Sequence, residues 1–155
     1  HKYMDKRQWN YDVDKQGWRY HMSNIMAAIG RVQLHRFSEL ASKRQDLCKE
    51  YDKILKNNES IKILDRDYNN IVPHIYPIRV IGLKDFLGLK NRLIECGIET
   101  GKHYYPNHML SYFKKMNNLT LPITEKIYPE LITLPLHPDL SFKEINYICE
   151  TLLKN

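Results

Sequence analysis

The sequence predicts an α/β fold, more narrowly a two-layer α+β unit. A small mixed or antiparallel sheet carries helices on one face, with a long N-terminal helix packed against it. Three observations lead there. Ile25, Ile29, Val32, Leu40, Leu47, Tyr51 and Leu55 recur at spacings of three, four, seven or eight, the period of one helical face. After residue 58, runs rich in branched residues alternate with helical patterns in under 100 residues. Two of the strand-like runs contain a proline, Pro77 and Pro135, which lacks a ladder donor and favours sheet edges.

In chain order, residues 1–23 are polar and aromatic without a sustained period, and Tyr3, Trp9 and Tyr11 need something to cover them. The chain therefore reads as a piece of something larger. Residues 24–57 form a connecting helix, roughly 50 Å long at 1.5 Å per residue. Ser23 is its N-cap, Met26 at the third helical position rules out a capping box, and Asn57-Asn58 supply stop chemistry. Such a length joins two bodies, and the polar cluster before the cap suits an anion, because dipole and free amides add there.

Residues 58–155 form the small domain. Ile61–Leu64 and His74–Ile81 read as strands, with a turn over Asp65–Asn70. Lys84–Cys96 reads as a helix burying Phe86, Leu87, Leu89, Leu93 and Ile94, with Gly97 after its end. Ile98–Tyr105 is a further strand with Gly101 inside it. A short helix over Asn107–Met116 packs Met109, Leu110, Tyr112 and Phe113, with Asn117-Asn118 breaking it, and another follows over Pro122–Leu131. Leu131–Leu136 is the last strand. Ser141 and Glu144 make a capping box for a final helix with Ile145, Ile148, Cys149 and Leu152 on its apolar stripe.

The composition, 43% hydrophobic and 27% charged, is that of a soluble globular protein, and no apolar run is long enough to span a membrane. The net charge of +6 is dispersed, as in Lys43-Arg44 followed by Asp46 and in Asp65-Arg66-Asp67. This argues for a solvated surface and against nucleic-acid binding. Cys48, Cys96 and Cys149 are odd in number, far apart and without a CxxC pair, so three reduced thiols and a cytoplasmic location are expected.

Chemistry concentrates in three places. Trp18-Arg19-Tyr20-His21 precedes the helix cap, where the planar Arg19 fork suits a phosphate or carboxylate; the plainer reading is a packed loop with Arg19 in solvent. His103, Tyr104, Tyr105 and His108 mix donors, acceptors and flat faces beside a strand end, which suits a polyhydroxylated ligand. Against this stands a pair of satisfied surface histidines. A metal is disfavoured there, since no carboxylate or Cys sits at ligand spacing. His137, between Pro135 and Pro138, reads as shaped backbone. No nucleophile elbow, glycine-rich phosphate loop, zinc motif or paired-carboxylate signature occurs, and none of the sixteen lysines lies in an evidently apolar setting.

The pattern Gly17-x-x-Tyr20-x-Met22-Ser23-x-Ile25-x-Ala27-Ala28-Ile29-Gly30-x-x-Gln33-Leu34, followed by Arg44 and Tyr51, resembles the middle of the DegT/DnrJ/StrS aminotransferases. Two later segments resemble that family's C-terminal part in the same order. They are Gly97-Ile98-Glu99-Thr100-Gly101-x-His103-Tyr104-x-Pro106-x-His108 and Leu134-Pro135-Leu136-His137-Pro138-x-Leu140-Ser141. The resemblance implies the small C-terminal domain of a fold-type I, pyridoxal-phosphate-dependent enzyme that aminates keto-sugar nucleotides in polysaccharide or deoxyaminosugar synthesis. It implies pyridoxal 5'-phosphate, a nucleotide-sugar substrate, an amino-acid donor and a homodimer for the full enzyme, and residues 1–23 as part of a missing large domain. The family's Ser-His-x-Lys-type motif, whose lysine holds the cofactor covalently, is not recognisable here. Nor are the aspartate of the pyridine nitrogen and the aromatic over the ring. The chain alone is accordingly expected to be inactive and without bound cofactor. Carried over by position, Arg19, Tyr20 and His21 are the cofactor-binding candidates, and His103, Tyr104 and His108 the substrate-binding ones. The family commonly has Asn at position 19 and Arg at 21, and its Asn reaches the cofactor phosphate of the neighbouring subunit. Arg19 would serve that phosphate through its charge. A different class of reading is a non-catalytic module, stand-alone or completing a site supplied by another chain.

Overall fold

The computed structural model describes residues 15–116 and 119–154. The expectations for Tyr3, Trp9, Tyr11 and Asn117-Asn118 lie outside those residues. The chain divides into two compact units, His1–His35 and Arg36–Asn155, and the division falls inside the first helix.

That helix, α1, spans Asn24–Leu55. The Ser23 hydroxyl accepts from the Met26 amide at 3.2 Å, as a cap at this position requires. The helix stops at Leu55, and Asn58 instead shapes the following turn, its side chain accepting from the Ser60 amide at 2.9 Å. Ala41, Leu47, Cys48, Tyr51 and Leu55 are buried, whereas Ile25, Ile29 and Val32, expected on the same buried face, are exposed. Length explains the difference. Thirty-two residues reach about 48 Å, while the longest strand has five residues and spans only about 17 Å.

The second unit holds three strands, β1 (Ile61–Ile63), β2 (Tyr76–Val80) and β3 (Leu131–Leu134), in the order β1-β2-β3 and antiparallel throughout. Pro77 therefore lies in the central strand, not at an edge. Its pairing shows why this is tolerated. Pro77 is opposite Thr133, and the Thr133 amide and carbonyl both bond to Gly101 on the outer side of β3. The two residues thus form a pair without mutual hydrogen bonds, so no ladder bond needs a Pro77 N–H. Toward β1 the Pro77 carbonyl accepts from Arg66 Nη2 at 3.0 Å, because β1 ends at Ile63, opposite Ile78.

Helix α2 (Phe86–Glu95) is capped by the Asp85 side chain, which accepts from the Gly88 amide. It ends on Gly97 at φ +75°, with Ile98 N–H bonding to the Leu93 carbonyl and Gly97 N–H to that of Ile94. That is the Schellman pattern, for which glycine is the favoured residue. Leu89 and Leu93 are buried, but Leu87 and Ile94 are exposed, so the stripe is narrower than expected. The expected strand over Ile98–Tyr105 reduces to one bridge, Gly101 with Thr133. Helices α3 (Ser111–Met116) and α4 (Pro122–Ile127) have six residues each, and 3-10 turns cover Asn107–Met109 and Tyr128–Glu130. Fewer than two turns cannot lay down a full apolar face, and Met109, Leu110, Tyr112 and Phe113 remain exposed. Strand β3 stops at Leu134, just before Pro135. Helix α5 (Phe142–Leu153) begins with the capping box between Ser141 and Glu144, and it buries Ile145, Ile148, Cys149 and Leu152 as its period predicts.

The core is one cluster. It joins Leu47, Cys48, Tyr51 and Leu55 of α1, the inward face of the sheet (Ile61, Tyr76, Ile78, Ile132, Leu134), Leu89 and Leu93 of α2, and the α5 stripe. Burial pushes the Cys48 and Cys149 thiols up to about 12, which keeps them unreactive. Polar staples tie α1 to the loop after β1 and to the β3 end. The Gln45 amide donates to the Tyr68 and Ile71 carbonyls, and Arg44 to those of His74 and Leu136.

Glu130 joins the start of β3 to the end of β2. It accepts from Arg79 Nε, and from the Gly82 amide at 2.9 Å. These two bonds, the Arg79 bond foremost, hold its carboxyl below the ordinary carboxylate value. A depressed folded-state value stabilises the fold above the ordinary carboxylate range, and that contribution is lost as pH falls through the lowered value. Glu130→Gln is expected to flatten the acid limb of the stability profile below about pH 4, read by urea midpoints at several pH values. An unchanged limb would show that Glu130 is not one of the groups responsible.

Candidate functional site

In the first unit the Arg19 cluster stands just ahead of α1. Arg19 Nε donates to His21 Nδ1 at 3.0 Å, and Tyr20 is 88% exposed. The pair holds the guanidinium by one nitrogen. Its two terminal nitrogens have no partner among the described residues. The first turn of α1 contains no acidic residue that would repel an anion at its amides.

In the second unit His103 is part-buried, its Nδ1 lying 3.0 Å from Thr133 Oγ1. Tyr104 meets the His103 ring edge-on at 4.9 Å and is otherwise exposed. Thr133 is 5% exposed. Gly101 matters here through the side chain that it lacks. A Cβ at this position would lie 2.9 Å from Cε1 of the His103 ring. The His108 side chain is 8% exposed, and its Nε2 lies 3.1 Å from Glu125. The same Glu125 oxygen accepts from the Leu121 amide at 2.9 Å; this bond, then the His108 one, holds the Glu125 carboxyl below its ordinary value. His108 thereby ties the 3-10 turn at Asn107–Met109 to the start of α4.

Lys102 corrects the expectation that no lysine has an apolar setting. Its Nζ lies 3.9 Å above the Phe86 ring and 4.7 Å from the Tyr128 ring, and donates to the Pro129 carbonyl at 3.0 Å. Burial lowers its pKa from the ordinary lysine value. His137 closes the turn before α5, its carbonyl accepting from the Leu140 amide at 3.1 Å. It also lines a cleft of about 660 Å³ with Glu99, Glu144 and Tyr147. A second cleft, of about 360 Å³, lies between the β1–β2 end and α5. Neither cleft is lined by Arg19, Tyr20, His21, His103, Tyr104 or His108. Among the described residues no group of three or more His, Cys, Asp or Glu side chains is placed to hold a metal ion, and no helix is long and apolar enough to cross a membrane.

His103 and Tyr104 stand out in the sequence by residue type, whereas Thr133 lies thirty residues away and looks like any strand threonine. The spacing of Gly101 and His103 was the one available signal, since residues two apart on extended chain share a side.

A long helix beside a three-stranded antiparallel sheet is the architecture of one part of the sugar aminotransferases. Helicobacter pylori PseC, an aminotransferase involved in the biosynthesis of pseudoaminic acid, superposes with a TM-score of 0.83 at 26% identity, over 97% of this chain and 42% of its own. Spr1654 from Streptococcus pneumoniae, solved in a PLP-form, gives 0.83 at 31% identity, over 94% of this chain and 38% of its own. The chain belongs to the DegT/DnrJ/EryC1/StrS aminotransferase family, matching it over residues 2–153. The UDP-4-amino-4,6-dideoxy-N-acetyl-beta-L-altrosamine transaminase of Campylobacter jejuni is 29% identical over 98% of this chain, which spans 42% of that relative's length.

Pyridoxal phosphate presents a phosphate dianion, and the donor set ahead of α1 fits it: a guanidinium with two nitrogens unengaged among the described residues, beside a first helical turn with no acid in it.

Proposed function

We propose that this chain is the C-terminal part of a pyridoxal-phosphate-dependent aminotransferase that transfers an amino group to a keto-sugar nucleotide. The observation that carries the reading is a family match over residues 2–153 by a chain that spans 42% of the C. jejuni relative. Residues 1–23 then belong to the large cofactor domain, 24–57 to the connecting helix and 58–155 to the small domain. The full enzyme works as a homodimer on a nucleotide-sugar and an amino-acid donor, in the cytoplasm, where three free thiols stay reduced.

When bound, the cofactor would supply an electron sink that makes transfer of an amino group between donor and acceptor possible. Arg19, oriented by His21, holds the phosphate, with Tyr20 beside it. His103 and Tyr104 meet the nucleotide-sugar, and His108 steadies the segment that carries them. The chain has no recognisable counterpart of the family's cofactor-holding lysine, so the proton transfers of the reaction fall to residues outside it.

Arg19→Ala in the complete enzyme is expected to weaken pyridoxal phosphate binding by about tenfold to a hundredfold, the loss of a charge-assisted bond of roughly 1.5–3 kcal/mol. Arg19→Lys should recover part of it. Cofactor occupancy after dialysis checks this, and unchanged occupancy in Arg19→Ala would remove Arg19 from the site.

A further inference from the structure

The His103 ring is held from three sides, and one of the holders is the hydroxyl of a buried threonine. Thr133 is 5% exposed, with its amide and carbonyl both engaged by Gly101 at 2.8 and 3.0 Å. Its hydroxyl has one partner among the described residues, His103 Nδ1 at 3.0 Å. A buried O–H that only accepted a bond would leave its own hydrogen unpaired, a costly arrangement. The hydroxyl therefore donates, and Nδ1 accepts. In a neutral ring with Nδ1 bare, the proton sits on Nε2. Gly101 leaves the space over which the ring lies, and Tyr104 closes its edge. His103 Nε2 has no partner among the described residues.

We propose that Thr133 is a positioning residue that fixes His103 as an Nε2–H donor, presented to an oxygen acceptor of the bound nucleotide-sugar. The substrate half of this rests on the function proposed above; the tautomer half rests on the geometry alone. Gly101 is the second part of the device. Its backbone pairs with Thr133, so the residue that makes room for the ring also anchors the hydroxyl that orients it. A histidine free to turn would offer a mixture of donor and acceptor faces, and a substrate acceptor would meet the right one only part of the time.

The test begins with long-range proton–nitrogen spectra of the chain labelled with ¹⁵N-histidine, His103 being assigned by its loss in His103→Gln. Wild type and Thr133→Ser are expected to show a bare Nδ1 and a protonated Nε2. Thr133→Val and Gly101→Ala should both move His103 toward a tautomer mixture. A protonated Nδ1 in the wild type, or an unchanged pattern in Thr133→Val, overturns the proposal. If Thr133→Val does not fold, Gly101→Ala carries the test, because the atom its Cβ meets belongs to a side chain that can swing aside. In the complete enzyme Thr133→Val should raise KM for the nucleotide-sugar about threefold to tenfold, the loss of one well-placed bond, and leave KM for the amino donor alone. A shifted tautomer with an unmoved nucleotide-sugar KM overturns the substrate role given to His103, and leaves the positioning by Thr133 standing.

Discussion

Asp52→Leu is expected to lower the stability of the second unit by about 3 kcal/mol, a large share of a domain's usual 5–15 kcal/mol. Asp52 accepts from the Tyr76 hydroxyl at 2.5 Å, the Tyr68 hydroxyl at 2.5 Å and Arg66 Nη1 at 3.3 Å. Those groups come from the loop after β1 and from β2, so one carboxylate fixes α1 to both. The Arg66 side chain is only 6% exposed, and its guanidinium lies 4.3 Å over the Tyr76 ring. Losing the carboxylate leaves that cation without an ion-pair partner among the described residues, although the Leu64 and Pro77 carbonyls still accept from it. The two tyrosine hydroxyls lose their acceptor as well. The urea midpoint should fall by about 1–3 M. Adding Arg66→Leu should cost much less than the sum of the single changes, because removing both charges leaves no orphan. Strict additivity would show that the two residues act separately.

Tyr51→Ala is expected to cost about 3–5 kcal/mol, the range for emptying an aromatic site in a core. The ring is fully buried and stacks on Tyr76 with centroids 4.4 Å apart and planes 21° apart. Its hydroxyl donates to the Pro135 carbonyl at 2.9 Å, linking α1 to the segment just after β3. Tyr51→Phe isolates that bond and should cost only about 1 kcal/mol. The gap between the two variants measures the ring. If phenylalanine costs as much as alanine, the hydroxyl and not the stacking holds this junction.

What could be read in advance was what is local. The capping box at Ser141 and Glu144 and the stripe of α5 depend on residues three or four apart, and both stand as expected. Ser23 and the course of α1 were legible for the same reason. The place of Pro77 in the central strand is not legible locally, because its tolerance depends on where β1 ends and on which residue bonds Thr133, and neither is written near position 77. The burial of Ile25, Ile29 and Val32 was overestimated because periodicity marks a face without saying how far the core extends along it. In the site, His103 announced itself by residue type. Its partner did not, since the bond to Thr133 spans thirty residues and a sheet edge. Lys102 likewise owes its setting to Phe86 and Tyr128, each distant in sequence.

We propose that this chain completes a cofactor site whose covalent lysine lies in another part of the enzyme. The most direct test is to incubate the 155-residue chain with pyridoxal phosphate, reduce with borohydride and map any labelled lysine by mass spectrometry, alongside an assay for amino transfer to a keto-sugar nucleotide. The expected result is no stoichiometric label on any one lysine, no visible band of lysine-bound cofactor and no transfer. One lysine labelled to stoichiometry together with turnover would contradict the claim, and Lys102, whose pKa is lowered by burial, is the position to inspect first.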